Sequence, residues 1–378
     1  MAREKIPETI KLKLWVKSAG RCEFKGCNMP VWHNGLTLSE NNFAEVAHII
    51  GASKKGPRGN NKSNQLQTEF SNLMLLCQRC HKEIDDYPDK YPVELLTSWK
   101  KQHEDRIEIQ TKYPEEIHKS TVLLFSINIG DRIVPINFEA VRNAMFPKYP
   151  ADFKGIRIEE SEFNRQGPAE YWQSFAEQKI KRKLQRCFEI GIDEKPIKHL
   201  SVFAIAPIPL LIYLGVAIGD TIPCDLYQSH RNIEDTNKTW NWHEVNNTEN
   251  TFYGKCLKEL AGSIILLKLA ISDTIAEDKY LNLLSDDVSV YEITVSDPTP
   301  HFAKTKKQIE SFSREYRRLL NDIQAKHGKQ STILLLPAIP ISFALECGRV
   351  ILPNKDPNMY VCEYYKEGSG FKQVLQIN

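Results

Sequence analysis

The sequence lacks an excess of charge of either sign: 50 lysines and arginines stand against 48 aspartates and glutamates, for a formal net charge of +2. That balance excludes a global basic field, so any nucleic-acid surface has to be a local patch. It lacks an apolar leader, because MAREKIPETIKLKLW carries charges where a signal peptide needs a hydrophobic core. It lacks an even set of cysteines; nine, unevenly spaced, do not read as a disulfide framework. Both features predict a cytoplasmic protein with reduced thiols, a compartment in which clustered cysteines are more often metal ligands. An unbroken membrane span is also missing. Residues 200–219, LSVFAIAPIPLLIYLGVAIG, are uncharged and approach the ~20 residues a bilayer requires. Pro207 and Pro209 interrupt them, however, and predict a buried strand, a proline-marked turn and a buried helix. Finally, no G-x-G-x-x-G follows a strand candidate, which argues against binding of an NAD-like dinucleotide.

What is present divides in two. Residues 1–108 are rich in Lys, Asn, Gly and Cys and end in the amphipathic stretch VELLTSWKKQHEDRIEI. The polar segment TKYPEEIHKS then reads as a linker, placed at 109–117. From 118 to 378 short apolar runs alternate with charged helical stretches. TVLLFSINI, HLSVFAIAP, SIILLKLAIS, VSVYEITVS and STILLLPAI read as strands; PAEYWQSFAEQKIKRKLQRCFEIGI and KKQIESFSREYRRLLNDIQAKHG read as helices. Such alternation predicts βαβ units and largely parallel sheets, an α/β class. An internal echo points to two similar Rossmann-like halves: Pro207 precedes Gly215 as Pro340 precedes Gly348, each pair inside an apolar strand, turn and helix. Loops after Ala206 and Leu336 would then lie at a ligand crevice at the carboxyl ends of the strands. The alternative is two unrelated βα units of a common type.

Four cysteines form two close pairs, Cys22 with Cys27 and Cys77 with Cys80. Four thiolates are the number a closed tetrahedral structural zinc site needs, and the metal would clamp the ends of a long excursion. The other five, Cys187, Cys224, Cys256, Cys347 and Cys362, stand among apolar neighbours and are expected to be buried small hydrophobes. Inside the excursion, AEVAHII alternates as a strand and delivers His48 to its end. Lys54, Lys55, Arg58 and Lys62 follow in a glycine-rich loop without an acid. That composition suits contact with a DNA phosphate backbone, or simply a solvated loop. Asn72 opens the next strand, and if KEID begins a helix, His81 and Asp85 fall at i and i+4 on one face. An imidazole and a carboxylate so placed can hold a divalent cation with open positions.

His48, Asn72 and His81, set in AHI, SNLMLLC and CQRCH, resemble the HNH nuclease motif over about residues 15–108, including the tail YPVELLTSWKKQHE. The resemblance implies an α+β, ββα-metal fold. It implies that His48 is the general base toward water, that Asn72 orients His48 through the backbone or the imidazole, and that His81 binds a catalytic Mg²⁺ or similar ion. The sequence departs from the family at Ala47, where many members carry an aspartate ligand. Asp85 is the replacement on offer, ahead of Glu45, whose strand face alternates away from His48.

FAIAPIPLLIYLGVAIGD, then DLYQSHR with TWNW, and LLLPAIPISFALECGRVILP resemble the SAVED domain, a fused pair of CARF-like units that senses cyclic oligonucleotides. The order HNH then SAVED resembles effectors of bacterial CBASS anti-phage defence. What this implies is a double-stranded DNA endonuclease that self-associates into a homo-oligomer on binding a cyclic di- or trinucleotide made by a partner nucleotidyltransferase. Trp240 and Trp242 would stack on its bases and Arg231 would clamp a phosphate, with Tyr171 and Trp172 as further candidates. In the competing reading TWNW packs as core and Arg231 pairs with a carboxylate. A competing function is a non-enzymatic zinc-knuckle DNA-binding module under a nucleotide-sensing regulator, with His48 and His81 structural.

Overall fold

The computed structural model describes residues 4–34, 37, 39–112, 119–128, 135–152, 154–192, 195–230, 239–242, 251–366 and 370–378. The chain forms two compact units, Met1–His118 and Lys119–Asn378.

The N-terminal unit contains α1 (Glu8–Lys17), β1 (Ala44–His48), β2 (Leu73–Cys77), α2 (Gln78–Asp86) and α3 (Val93–Lys112). β1 and β2 pair antiparallel, with His48 opposite Leu73 and Ala44 opposite Cys77. The run Leu73–Leu76 is fully buried and joins Leu14, Val31, Ala47, Ile84 and Leu96 in a small core. A two-stranded sheet is marginal by itself, so this core depends on the three helices that supply Leu14, Ile84 and Leu96. Two sequence expectations are corrected here. α2 begins at Gln78, ahead of KEID, because Cys77 is already extended and serves as its N-cap. The linker expected at 109–117 is helical through Lys112, since nothing in IEIQTK breaks a helix before Pro114.

The C-terminal unit begins with β3 (Lys119–Ile127), α4 (Phe138–Met145), β4 (Tyr149–Pro150) and β5 (Ile156–Glu160). α5 (Ala169–Phe175) then continues through a π-helical turn (Ala176–Lys181) into α6 (Arg182–Ile190). β6 (Leu200–Ile205), α7 (Ile208–Ile218) and β7 (Cys224–Leu226) complete the first half. β4 and β5 share one edge of β3, β6 occupies the other and β7 follows, all parallel. The second half comprises β8 (Tyr253–Lys258), β9 (Ile264–Ala270), β10 (Ser289–Thr294), α8 (Lys306–His327), β11 (Thr332–Ala338), α9 (Ile341–Arg349), β12 (Asn358–Tyr365) and β13 (Gly370–Gln376). Its sheet runs β13-β12-β11-β9-β10-β8, parallel at the centre and antiparallel at both outer pairs.

The apolar stretch 200–219 is β6, a turn at Pro207 and α7. Pro209 sits in the first turn of α7, where a missing N–H breaks no intrahelical bond. Among the described residues, no helix is long and apolar enough to cross a membrane. The sequence echo corresponds to two βαβ units, β6-α7-β7 and β11-α9-β12. Their helices pack against each other backbone to backbone. A Cβ on Gly215 would overlap the Leu345 carbonyl oxygen, and one on Gly348 would overlap that of Ile212. The paired glycines are therefore what allows the halves to meet.

The C-terminal strands also stitch back to the first half. Arg165 pairs with the buried Glu363, Tyr365 Oη donates to the Arg165 carbonyl at 2.9 Å, and Gln376 N donates to Gln173 Oε1 at 3.1 Å. Of the five scattered cysteines, Cys347 and Cys362 are buried, Cys187 and Cys224 are half-buried, and Cys256 is exposed. Cys256 departs from expectation because it lies on β8, an edge strand with one largely solvated flank.

Candidate functional site

The two cysteine pairs come together. Cys22 and Cys27 lie in the turns after α1; Cys77 ends β2 and Cys80 sits in the first turn of α2. Their four Sγ atoms lie within 4.8 Å of one another, with Cys27 and Cys77 3.9 Å apart. All four thiols are free. A tetrahedral ion with ~2.3 Å metal–sulfur bonds spaces its sulfurs by about 3.8 Å, so the donor set fits such an ion with small adjustments. Hydrogen bonding from Cys80 pulls the Cys22 thiol down to about 6, while the Cys80 thiol is pushed up, chiefly by that same bond.

The same scaffold places the histidines. His48, 8% exposed at the end of β1, has Nε2 3.0 Å from the Gln67 carbonyl oxygen. A neutral imidazole there donates from Nε2, which makes Nδ1 the basic nitrogen. Asn72 acts on the backbone, not on the imidazole. Its Oδ1 accepts from Ile50 N at 2.8 Å, and its Nδ2 donates to the carbonyls of Ile50 (2.9 Å) and Leu66 (3.1 Å). It therefore fixes both the chain leaving His48 and the segment that supplies Gln67.

On α2, His81 Nε2 stands 3.4 Å from Asp85 Oδ2, the i,i+4 pairing that helical period dictates. Glu45 Oε2 approaches His81 Nδ1 to 3.9 Å from β1. Glu45 alternates away from His48 and yet reaches His81, a proximity that sequence reasoning underrated. Burial works to raise the Asp85 carboxyl, but hydrogen bonds from His81 and Arg58 outweigh it and hold the group below its usual value. A cavity of about 590 Å³ is lined by His48, Lys54, Asn64, Gln67, His81 and Asp85, among others. His81 Nε2 and Asp85 Oδ2 face one another beside the His48 imidazole, a pair of donors that leaves most positions of a divalent cation open, whereas Glu45 faces the opposite ring nitrogen and does not line this cavity.

Of the four loop cations, Lys54, Lys55 and Lys62 are exposed. Arg58 is not: its side chain is 4% exposed and ion-paired to Asp85 at 2.9 Å. The expected DNA contact at Arg58 is corrected accordingly. Nothing in the sequence distinguished it from its lysine neighbours except its fork of donors.

In the second unit the candidates separate. Trp240, 2% exposed, packs edge-on to Phe203 at 5.3 Å within a core cluster, so it is not a base-stacking surface. Trp242 is half-buried against the same cluster, with its Nε1 buried and without a hydrogen-bond partner among the described residues. Tyr171 is half-buried against Phe163, and its hydroxyl accepts from Asn164 N at 3.2 Å, a structural position. Trp172 is wholly buried. Arg231 lies outside the described residues. The turn at Ala206 stands where expected; its counterpart comes at Ile339–Pro340, because β11 continues through Ala338. Gln228, which sequence reasoning passed over, closes the start of α9: its Oε1 accepts from Ser342 N (3.1 Å) and Ser342 Oγ (3.0 Å).

A family model, the SMODS-associated and fused to various effectors sensor domain (SAVED), matches residues 180–377. The chain belongs to the SAVED family. This SAVED protein's similar solved structures include an Acinetobacter baumannii Cap4 SAVED/CARF-domain containing receptor with the cyclic trinucleotide 3'3'3'-cAAA. That match has TM-score 0.47 and 12% identity, covering 79% of this chain and 62% of that one. The same receptor with 2'3'3'-cAAA gives TM-score 0.47 and 11% identity, covering 84% and 66%. A Moraxella osloensis Cap4 receptor gives 0.42 and 11%, covering 79% and 60%. The SAVED chain thus spans less than two thirds of the length of these receptors. No curated protein matches it.

Proposed function

We propose that the chain is a metal-dependent, HNH-type DNA endonuclease of CBASS anti-phage defence, switched on when its SAVED unit binds a cyclic di- or trinucleotide. The observation that carries the nuclease reading is the shared cavity: His48, its Nε2 fixed by Gln67, opens onto the space that His81 and Asp85 also line. His48 Nδ1 takes the proton of an attacking water, whose oxygen forms a bond to phosphorus as the bond to the 3′-oxygen breaks. His81 and Asp85 would hold a Mg²⁺ or similar ion. That ion supplies charge stabilisation at the scissile phosphate and the leaving oxygen. Cys22, Cys27, Cys77 and Cys80 hold a structural Zn²⁺, and through it the end of β2 and the start of α2 keep His81 in place. Lys54, Lys55 and Lys62 contact the phosphate backbone of duplex DNA, which gives affinity without sequence reading.

The gate belongs to the SAVED unit. A cyclic oligonucleotide from a partner nucleotidyltransferase favours the self-associated form, since a ligand shifts a population only through differential affinity. Membership of the SAVED family, a sensor domain by its description, supports this reading.

Supercoiled plasmid with Mg²⁺, incubated without ligand and then with a panel of cyclic di- and trinucleotides, tests both parts. Cutting is expected only with one member of the panel, and His48→Ala is expected to slow it by ~10²–10⁴-fold while ligand binding and zinc content persist. Cutting without ligand removes the gate. Silence across the panel with DNA binding intact overturns the nuclease and leaves the zinc-knuckle DNA-binding module.

A further inference from the structure

Arg58 has surroundings unlike those of a loop cation. It sits at φ +52°, a left-handed backbone that few non-glycine residues adopt. Its Nε donates to the Ile49 carbonyl at 2.7 Å, Nη1 donates to the Ile84 carbonyl, and Nη2 donates to the His48 carbonyl at 3.3 Å and to Asp85 Oδ1 at 2.9 Å. Two of these acceptors lie where β1 ends and two lie in the last turns of α2. The Ile84 carbonyl is among the last four of its helix, which have no intrahelical partner, and a cation near that end also complements the helix dipole.

The arrangement has a directional consequence. Arg58 occupies one oxygen of Asp85, and the other, Oδ2, faces His81 Nε2 at 3.4 Å. A guanidinium held by three backbone carbonyls presents its Nη2 donor to Oδ1 in a set direction, as a flexible point charge does not. We propose that Arg58 is a positioning residue for the divalent site: it aims Asp85 Oδ2 at the space beside His81 and ties that helix to the strand end that carries His48. Arg58 acts through these groups and touches neither DNA nor the reacting atoms. This rests on the nuclease reading above.

The test uses the full chain as wild type, Arg58→Gln, Arg58→Lys and Lys54→Ala. Zinc content and thermal unfolding verify that each is folded. Mn²⁺ affinity is measured without DNA, and DNA affinity is measured across a salt series. Groups that orient metal ligands cost ~10–100-fold in metal affinity when removed, so Arg58→Gln is expected to weaken Mn²⁺ by that factor and Arg58→Lys to recover part of it. Removing one cation that neutralises a DNA phosphate lowers the slope of log affinity against log salt by about one. Lys54→Ala is expected to show that change and Arg58→Gln is not. Unchanged Mn²⁺ affinity in either folded Arg58 variant, no Mn²⁺ binding by the wild type, or a slope change of about one in Arg58→Gln overturns the proposal. If Arg58→Gln does not fold, the Arg58→Lys comparison decides. Should the wild type bind Mn²⁺ and cut no DNA with any activator, the nuclease reading fails, and the Mn²⁺ comparison still decides the role of Arg58.

Discussion

At the scale of single residues, the sequence was most legible where chemistry restricts the residue type. Four thiolates, two histidines and an asparagine in a set order announce themselves, and the i,i+4 period alone joined His81 to Asp85. It was least legible where one residue type serves two roles. Arg58 and Trp240 read as surfaces for DNA and ligand, and both are buried. A cation in a glycine-rich loop or a tryptophan in TWNW carries no mark of its exposure, which is decided by neighbours distant along the chain. The packing gives Trp240 a testable place. Trp240→Ala, which removes an indole packed edge-on to Phe203, is expected to destabilise the C-terminal unit by ~3–5 kcal/mol, read as a lowered urea midpoint. If the midpoint stays put, Trp240 does not belong to the core.

At the scale of elements, long apolar runs such as β6, β9 and β11 were readable because strands buried on both faces leave little else to encode. β8 and β13 were passed over for the converse reason: they are edge strands with many exposed positions, and their sequences, YGKCLK and GFKQVLQ, look like loop. The echo of Pro-to-Gly spacing was visible, but the meeting of its two glycines was not, since sequence shows a repeat without showing what its copies touch. Close approach of α7 and α9 leaves no room for a methyl group at either glycine. Gly348→Ala is therefore expected to cost about 1–3 kcal/mol or more by overpacking, measured by denaturant unfolding. A variant as stable as the wild type would mean that the two helices can separate freely.

At the scale of the whole molecule, the split into Met1–His118 and Lys119–Asn378 gives the proposed zinc a local domain of influence. The N-terminal unit has a small core and a two-stranded sheet, so the clip is expected to supply much of its stability. Cys77→Ser, or a strong chelator, is expected to abolish the unfolding transition of that unit and leave the transition of the SAVED unit in place. A Cys77→Ser protein that is zinc-free, folded throughout and fully active would show that the cysteine cluster is dispensable. The hydrogen bonds that stitch the C-terminal strands to the first half have a different kind of consequence, one of timing. Arg165 finds Glu363, and Gln173 finds Gln376, across about two hundred residues of chain. At the ~5–20 residues per second of protein synthesis, that separation is roughly 10–40 s. A nascent chain therefore carries its whole N-terminal unit well before Glu363 and Gln376 exist, so these contacts close only late in synthesis.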